Sequence, residues 1–261
     1  ALPYSPSAEP NSWSTTDASV FHVRVGPNYR KNKRKAPSAA PLYDCIGVDV
    51  VRSDARLDDA GAVLTPRVDV SGVDDTGVPP LFVVNWQLPL RPQPLFGGGG
   101  GGSGECASVV FTFRMTPDTA QQLRGDPSAA SPAVRLLRDY AARSAEDATM
   151  RGRFKAIAYV ADLRERGFSS FITGYNAKPG LIQKTGTVVR TPKYLEMDVN
   201  IHRFNAMAKK ALFVLLEHTR EMEIQMAFLI EGRDDAELPE CVFGTAQLNR
   251  VDHTRAVPLE G

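Results

Sequence analysis

The stretches EIQMAFLIEG, at residues 223–232, and ECVFGTAQLNRVD, at residues 240–252, decide the fold class of this chain. Both are rich in apolar and β-branched side chains over the length of a strand, and each is bounded by turn-forming residues. The acidic segment DDAELP (234–239) connects them. Two strands that follow each other through so short a connection pair antiparallel.

The same strand-like pattern recurs towards the N-terminus. Period-2 alternation or short apolar runs predict strands in FHVRV (21–25), LYDCIGVDVV (42–51), PLFVVNWQLPL (80–90), SVVFTFRM (108–115), FKAIAYVADL (154–163), LIQKTGTVVR (181–190) and KYLEMDVNIH (193–202). Strands thus neighbour strands along most of the chain, which favours antiparallel pairing over a doubly wound parallel sheet.

Two helices interrupt the strands. Ser131 and Pro132 are typical of an N-cap and a first helical position, and they predict a helix that ends near Glu146. The stronger helical pattern runs from about Phe204 to Glu221 and is apolar over a wide arc. We therefore expect an α+β fold, in which a curved antiparallel sheet packs around the long helix in a helix-grip-like manner.

The chain is expected to form one domain. Residues 1–12 are rich in Pro and Ser and predict a tail, so that the domain comprises residues 13–261. It carries two inserted loops, an acidic and exposed one at residues 54–78 and a glycine-rich one at residues 96–105. The glycine run is interpreted as a length-tolerant hairpin loop, with an interdomain linker as the alternative.

Composition excludes several classes of protein. Lys and Arg total 31 against 30 Asp and Glu, which argues against a nucleic-acid partner. The three scattered cysteines, Cys45, Cys106 and Cys241, predict neither disulfides nor a zinc site, and no metal or cofactor is expected. No apolar run has the roughly 20 residues of a transmembrane helix. We expect a cytoplasmic or membrane-peripheral protein, or a plastid protein if the N-terminus is a processed transit site.

Long parts of the sequence resemble a known family. They are FHVRVGPNYRKNKRKAPSAAPLYDCIGVDV, PLFVVNWQLPL, AKPGLIQKTGTVVR, KYLEMDVNIH and MAFLIEGRDDAELPECVFGTAQLNRVD. Together they resemble the plant and algal Enhanced Disease Resistance C-terminal domain from about Trp13 to Asp252. The resemblance implies a domain without transferable enzymatic activity, often placed after pleckstrin-homology and START domains that work at phosphoinositide-bearing membranes. Neither neighbour is present here, and the two inserted loops depart from the family pattern.

A dense basic segment is the sharpest candidate site. Its members are cationic or aromatic: Arg24, Tyr29, Arg30, Lys31, Lys33, Arg34 and Lys35. Such a density of cations suits phosphate or anionic lipid, and a tyrosine ring suits an interface. Docking of an acidic protein and a simple solvated turn are the alternatives.

The long helix offers a second candidate site. If a sheet curves around it, Phe204, Met207, Ala211 and Leu215 would line a hydrophobic cavity for an apolar ligand. An apolar arc of this kind is more often plain core.

An enzymatic reading has little support. The sequence has no G-x-S-x-G elbow and no H-E-x-x-H motif, so no catalytic residue is assigned. Glu196 and Asp198 share one side of a predicted strand, and His202 follows, which keeps an unrecognised hydrolase as a remote alternative. A solvated strand face is the favoured interpretation of the two carboxylates.

The expected function is therefore a non-catalytic, lipid-associated and membrane-peripheral binding module. Its basic segment would meet an anionic lipid, and its sheet would hold an apolar ligand. The alternative is a structural or linker subunit of a larger assembly, such as an algal membrane complex. Protein partners would then order the N-terminal tail and the long loops.

Overall fold

The computed structural model describes residues 1–90 and 103–258. These residues form strands β1 (Ser12–Ser14), β2 (His22–Arg24), β3 (Lys35–Pro37), β4 (Tyr43–Ala55), β5 (Leu81–Pro89), β6 (Ser103–Met115), β7 (Phe154–Tyr159), β8 (Gly180–Leu181), β9 (Gly186–Arg190), β10 (Tyr194–Asn200), β11 (Glu223–Ile230), β12 (Val242–Asn249) and β13 (Val257–Pro258). The helices are α1 (Tyr29–Asn32), α2 (Ala60–Leu64), α3 (Pro117–Arg124), α4 (Pro132–Arg143), α5 (Ala148–Arg151), α6 (Ser170–Thr173) and α7 (Ala206–Glu217).

Most strands belong to two large sheets. One has the order β1-β12-β11-β7-β8, the other has the order β13-β4-β6-β5-β10-β9, and β2 and β3 form a separate hairpin. Neighbouring strands are antiparallel except in the pairs β5–β10 and β4–β13, which are parallel. The predicted α+β class is confirmed, with mixed rather than purely antiparallel sheets.

The core lies between the two large sheets. Phe82 on β5 and Phe243 on β12 have ring centroids 4.2 Å apart, and Phe111 on β6 and Phe228 on β11 have centroids 5.3 Å apart. All four side chains are buried. Alternation along each strand points these rings to one face, so the sheets bury their apolar faces against each other.

Helices occupy the two ends of this sandwich. The predicted helix at 131–146 is α4, which Ser131 caps by accepting from the Val134 N–H. It packs into the core at the end where β11 finishes and β7 begins. The predicted long helix at 204–221 is α7, followed by a 3-10 turn over residues 219–221, and none of its residues is fully buried. The helix-grip detail is thus not confirmed, because the main core lies between the two sheets and α7 packs at one end of them.

The insert at 54–78 exposes more than half of its residues, but it is more than a loop. It carries the short helix α2 and covers the outer face of the six-stranded sheet. Ala60 and Gly61 are buried there. A Cβ on Gly61 would lie 2.6 Å from the Tyr194 ring, so the backbone approaches the sheet as closely as glycine allows.

The two other predicted segments are the tail at 1–12 and the glycine-rich loop at 96–105. The segment at 1–12 packs on its own domain. The Leu2 N–H donates to the Val48 carbonyl at 2.8 Å, and the Ser5 N–H donates to the Trp13 carbonyl at 2.8 Å. Residues 96–102 of the glycine-rich loop lie outside the described residues, whereas 103–105 already belong to β6. Because β5 and β6 pair antiparallel, this connection joins the two arms of a hairpin.

Within the described ranges, no helix combines the length and the apolar character that crossing a membrane requires.

Candidate anion-binding site

The basic segment forms a small surface hairpin, in which α1 connects β2 to β3. Asn28 and Lys33 flank α1 with φ values of 64° and 54°, in the left-handed region. Side-chain bonds hold this turn: the Asn32 amide donates to the Pro27 carbonyl, and its oxygen accepts from the Arg34 N–H, both at 2.9 Å. The hairpin therefore presents its cations from a defined backbone.

The hairpin is bound to the acidic turn between β11 and β12. The Asn28 N–H donates to Asp235 Oδ2 at 2.9 Å, and Arg30 Nη2 donates to the Arg233 carbonyl at 3.2 Å. Arg30 Nη2 also lies 3.7 Å from Asp234 Oδ1, with both side chains exposed. This last ion pair is weak because water screens it.

A buried ionic network lies beneath the hairpin. Lys155 Nζ donates to Glu240 Oε1 at 2.7 Å, and the two side chains are only 2% and 1% exposed. Arg24 Nη1 lies 2.9 Å from Glu231 Oε1, and Arg24 Nε lies 3.8 Å from Glu240 Oε1. Burial lowers the pKa of Lys155, while Glu240 opposes that shift. Arg24 thus joins the hairpin to the core as part of a structural network.

A cleft of about 470 Å³ separates the hairpin from the acidic turn. Its lining carries more cations than carboxylates: Arg24, Arg30, Lys31, Lys33 and Arg233 against Asp234 and Asp235. In the described ranges neither Lys31 nor Lys33 has a carboxylate within ion-pair distance. The cleft is therefore an electropositive hollow with two cations available to an anion.

Tyr29 lies between two of these cations. Its ring centroid is 4.9 Å from Arg24 Cζ and 5.7 Å from Lys33 Nζ. A cation near an aromatic face is attracted to the ring. Tyr29 therefore helps to hold Lys33 on the cleft side of the hairpin.

The structure divides the predicted basic residues into two groups. Arg24, Tyr29, Arg30, Lys31 and Lys33 line the cleft, whereas Arg34 and Lys35 do not. Arg34 lines a separate pocket of about 380 Å³ beside Gly26 and Pro27, and Lys35 is exposed on β3.

The opposite wall of the cleft was missed by the sequence analysis. Arg233, Asp234 and Asp235 form that wall, but the acidic segment 234–239 was interpreted only as the connection between two strands. The opposite charges of residues 28–35 and 234–237 were the available signal, because runs of opposite charge attract each other across a fold.

The four predicted cavity residues are distributed over three surroundings. Leu215 lines an apolar cavity beneath α7. Met207 and Ala211 line a different, open groove of about 610 Å³ between α7 and residues 166–172. Phe204 packs at the edge of the main core. Neither of these two cavities contains all four.

The predicted solvated face with Glu196 and Asp198 is wrong. Both side chains are buried, because the 54–78 insert covers them. Glu196 accepts from the N–H groups of Ala60 and Gly61 at 2.8 and 2.7 Å, and Asp198 accepts from the Asn85 amide at 2.7 Å. The carboxyl pair thus anchors the insert to the sheet.

The same pair retains a proton. Burial and the neighbouring Asp198 raise the pKa of Glu196 to about 9, although the two backbone N–H groups lower it. Burial also raises the pKa of Asp198, and the hydrogen bonds from Glu196 and Asn85 oppose that shift. We take Glu196 as the protonated partner that donates to the Asp198 carboxylate.

His202 is not joined to this pair. Its Nε2 lies 3.7 Å from Cys106 Sγ, and burial lowers its pKa. No hydrogen bond links His202 to Glu196 or Asp198 in the part of the chain that the structure describes. Within the same ranges, no group of three or more His, Cys, Asp or Glu side chains is arranged to hold a metal ion.

Comparison with known proteins confirms the resemblance seen in the sequence. The family model described as "Protein ENHANCED DISEASE RESISTANCE 2, C-terminal" matches residues 13–252. A protein of Arabidopsis thaliana described as "Protein ENHANCED DISEASE RESISTANCE 2-like" is 24% identical over 255 residues, which are 95% of this chain and 30% of that relative. The chain thus spans less than a third of the relative's length. No solved structure gives a significant match.

Proposed function

Since the chain belongs to the Enhanced Disease Resistance 2 C-terminal family, we propose that it is a non-catalytic module that binds anionic lipid surfaces peripherally through its basic hairpin. The observation that carries the proposal is the cleft between the hairpin and the acidic turn. Lys31 and Lys33 lie there without a carboxylate partner in the described ranges, while Arg24 fastens the hairpin to buried carboxylates.

The number of cations on the hairpin favours an anionic lipid surface over a single bound anion. Each Lys or Arg held near an anionic membrane contributes about 1 kcal/mol, and the attraction decays within a Debye length. Arg30 adds to Lys31 and Lys33, because its exposed pair with Asp234 is easily exchanged for a phosphate. Tyr29 supplies an amphipathic ring beside them.

The test is cosedimentation with vesicles of phosphatidylcholine mixed with phosphatidylserine, at low and high salt. The triple variant Arg30→Gln, Lys31→Gln, Lys33→Gln should lose roughly a hundredfold in affinity, from about 1 kcal/mol per cation. The matched control Lys178→Gln, Lys184→Gln, Arg190→Gln removes three exposed cations elsewhere and should bind as the unchanged protein does. Equal loss in both variants, or no binding to anionic vesicles at all, would reject the proposal.

Docking of an acidic protein is the competing function for the same cations. This function predicts that the unchanged protein does not bind anionic vesicles. In the structure, the segment at 1–12, which was expected to need a partner for order, hydrogen-bonds to its own domain. This observation favours the lipid proposal over the structural-subunit alternative.

A further inference from the structure

The end of the sandwich beneath α7 contains an apolar cavity of about 160 Å³. Side chains from both sheets and from the helix line it, among them Trp86, Phe111, Leu212, Leu215, Met226 and Leu248. This site lies at the start of β11, whereas the basic cleft lies beyond its end. A ligand bound here would therefore be independent of the basic cleft and of the proposed function.

The lining of the cavity extends across several strands of both sheets. Its lining crosses three adjacent strands of the six-stranded sheet, at Val50, Phe111 and Trp86. It also crosses three strands of the other sheet, at Leu248, Met226 and Ala158. Two strand spacings amount to roughly 10 Å. Such a length in so small a volume describes a channel that suits a linear chain better than a bulky ring system.

The wall of this channel is apolar, and its cover is incomplete. Cavities of roughly 150 Å³ lined by apolar groups stay dry and take up apolar guests. Each residue of α7 keeps part of its surface in solvent, although Leu212, Leu215 and Leu216 face the cavity. Ala158, at the end of β7, is exposed and also lines the cavity, so it marks the mouth.

We propose that this channel binds the hydrocarbon chain of a single-chain amphiphile, with α7 as its lid. The chain enters beside Ala158 and ends between the two sheets. The headgroup stays in water at the mouth, because the wall is apolar apart from Trp86, Thr219 and His253. Binding removes apolar surface from water on both the chain and the underside of α7, which is the source of the affinity.

The test is calorimetric titration of the protein with monomeric dodecanoate. One chain should bind per protein. Ala158→Phe, which blocks the mouth, should weaken binding at least tenfold, whereas Ala142→Phe, on the exposed side of α4, should leave it within twofold. Leu215→Trp fills the cavity from the helix side and serves as a second blocking variant, and near-UV circular dichroism checks that each variant is folded.

A series of shorter and longer fatty acids sharpens the test. Affinity should rise about fourfold per methylene until the channel is full and then level off. The hairpin variant Arg30→Gln, Lys31→Gln, Lys33→Gln should bind dodecanoate unchanged, which separates this site from the basic cleft. A folded protein that takes up no stoichiometric dodecanoate, or blocking variants that bind it normally, would overturn the inference.

Discussion

Helices α4 and α7 have the same length and close opposite ends of the sandwich, yet they are packed very differently. Both have twelve residues and a side-chain N-cap, from Ser131 and Asn205 respectively. Helix α4 buries six residues, including Leu137 and Tyr140, and α7 buries none. The end closed by α4 is filled with buried side chains, whereas the end closed by α7 contains a cavity.

The difference follows from how apolar residues are distributed around each helix. In α4, Arg135, Arg138 and Asp139 leave a single apolar stripe, which one core can bury completely. In α7, apolar residues occupy most of the circumference, so any one contact leaves the others partly exposed. Hydrophobicity alone therefore does not make a helix part of the core, and α7 retains apolar surface for a ligand.

The largest expected effect is at the α4 end, in the ionic network. Lys155→Met should cost about 3–5 kcal/mol of unfolding free energy, because it leaves Glu240 buried without its main partner. The matched change Lys210→Met, on the exposed side of α7, should cost almost nothing. Urea unfolding of both variants measures the difference, and similar losses would contradict the contrast between the two ends.

The stabilities of two leucine-to-alanine variants, one in each helix, compare α4 and α7 directly. Leu137→Ala in α4 should cost about 2–5 kcal/mol, because it creates a hole in a close-packed core. Leu215→Ala in α7 should cost about 1 kcal/mol, because that side chain is only partly buried and already borders a cavity. Equal costs would show that α7 is core after all.

A pH-dependent effect, smaller per pH unit than the changes above, is expected at the covered face, which belongs to neither end. The native pKa of Glu196 is raised from 4.5 to about 9, so the folded chain keeps a proton that the unfolded chain loses. Stability should therefore fall as pH rises between these values, by up to about 1.4 kcal/mol per pH unit. Asp198→Asn should reduce this slope, because it removes the neighbouring charge that raises the pKa of Glu196, while burial of Glu196 remains.

Unfolding free energies at several pH values check this expectation. The control Glu165→Gln removes an exposed carboxylate and should keep the slope of the unchanged protein. A slope that is unchanged in Asp198→Asn would mean that the charge of Asp198 does not contribute to it.

The sequence predicted local elements better than their placement. Local features could be predicted because each depends on neighbouring residues. They include the strands β5, β11 and β12 and the start of α4 at Ser131. The parallel pairing of β10 with β5 could not be predicted, since it joins segments more than a hundred residues apart. The burial of Glu196 also escaped prediction, because it depends on where the 54–78 insert folds back. The basic half of the cleft was visible in the sequence as a run of cations. The acidic segment could be identified as the opposite wall only from its contacts with the hairpin.

Hydrogen exchange in the presence of anionic vesicles tests the proposed function most directly. Vesicles of phosphatidylcholine and phosphatidylserine should slow exchange in residues 28–37 and leave α4 unchanged. The triple variant Arg30→Gln, Lys31→Gln, Lys33→Gln should lose that protection. Protection that is absent from the hairpin, or that survives in the triple variant, would contradict binding through the basic cleft.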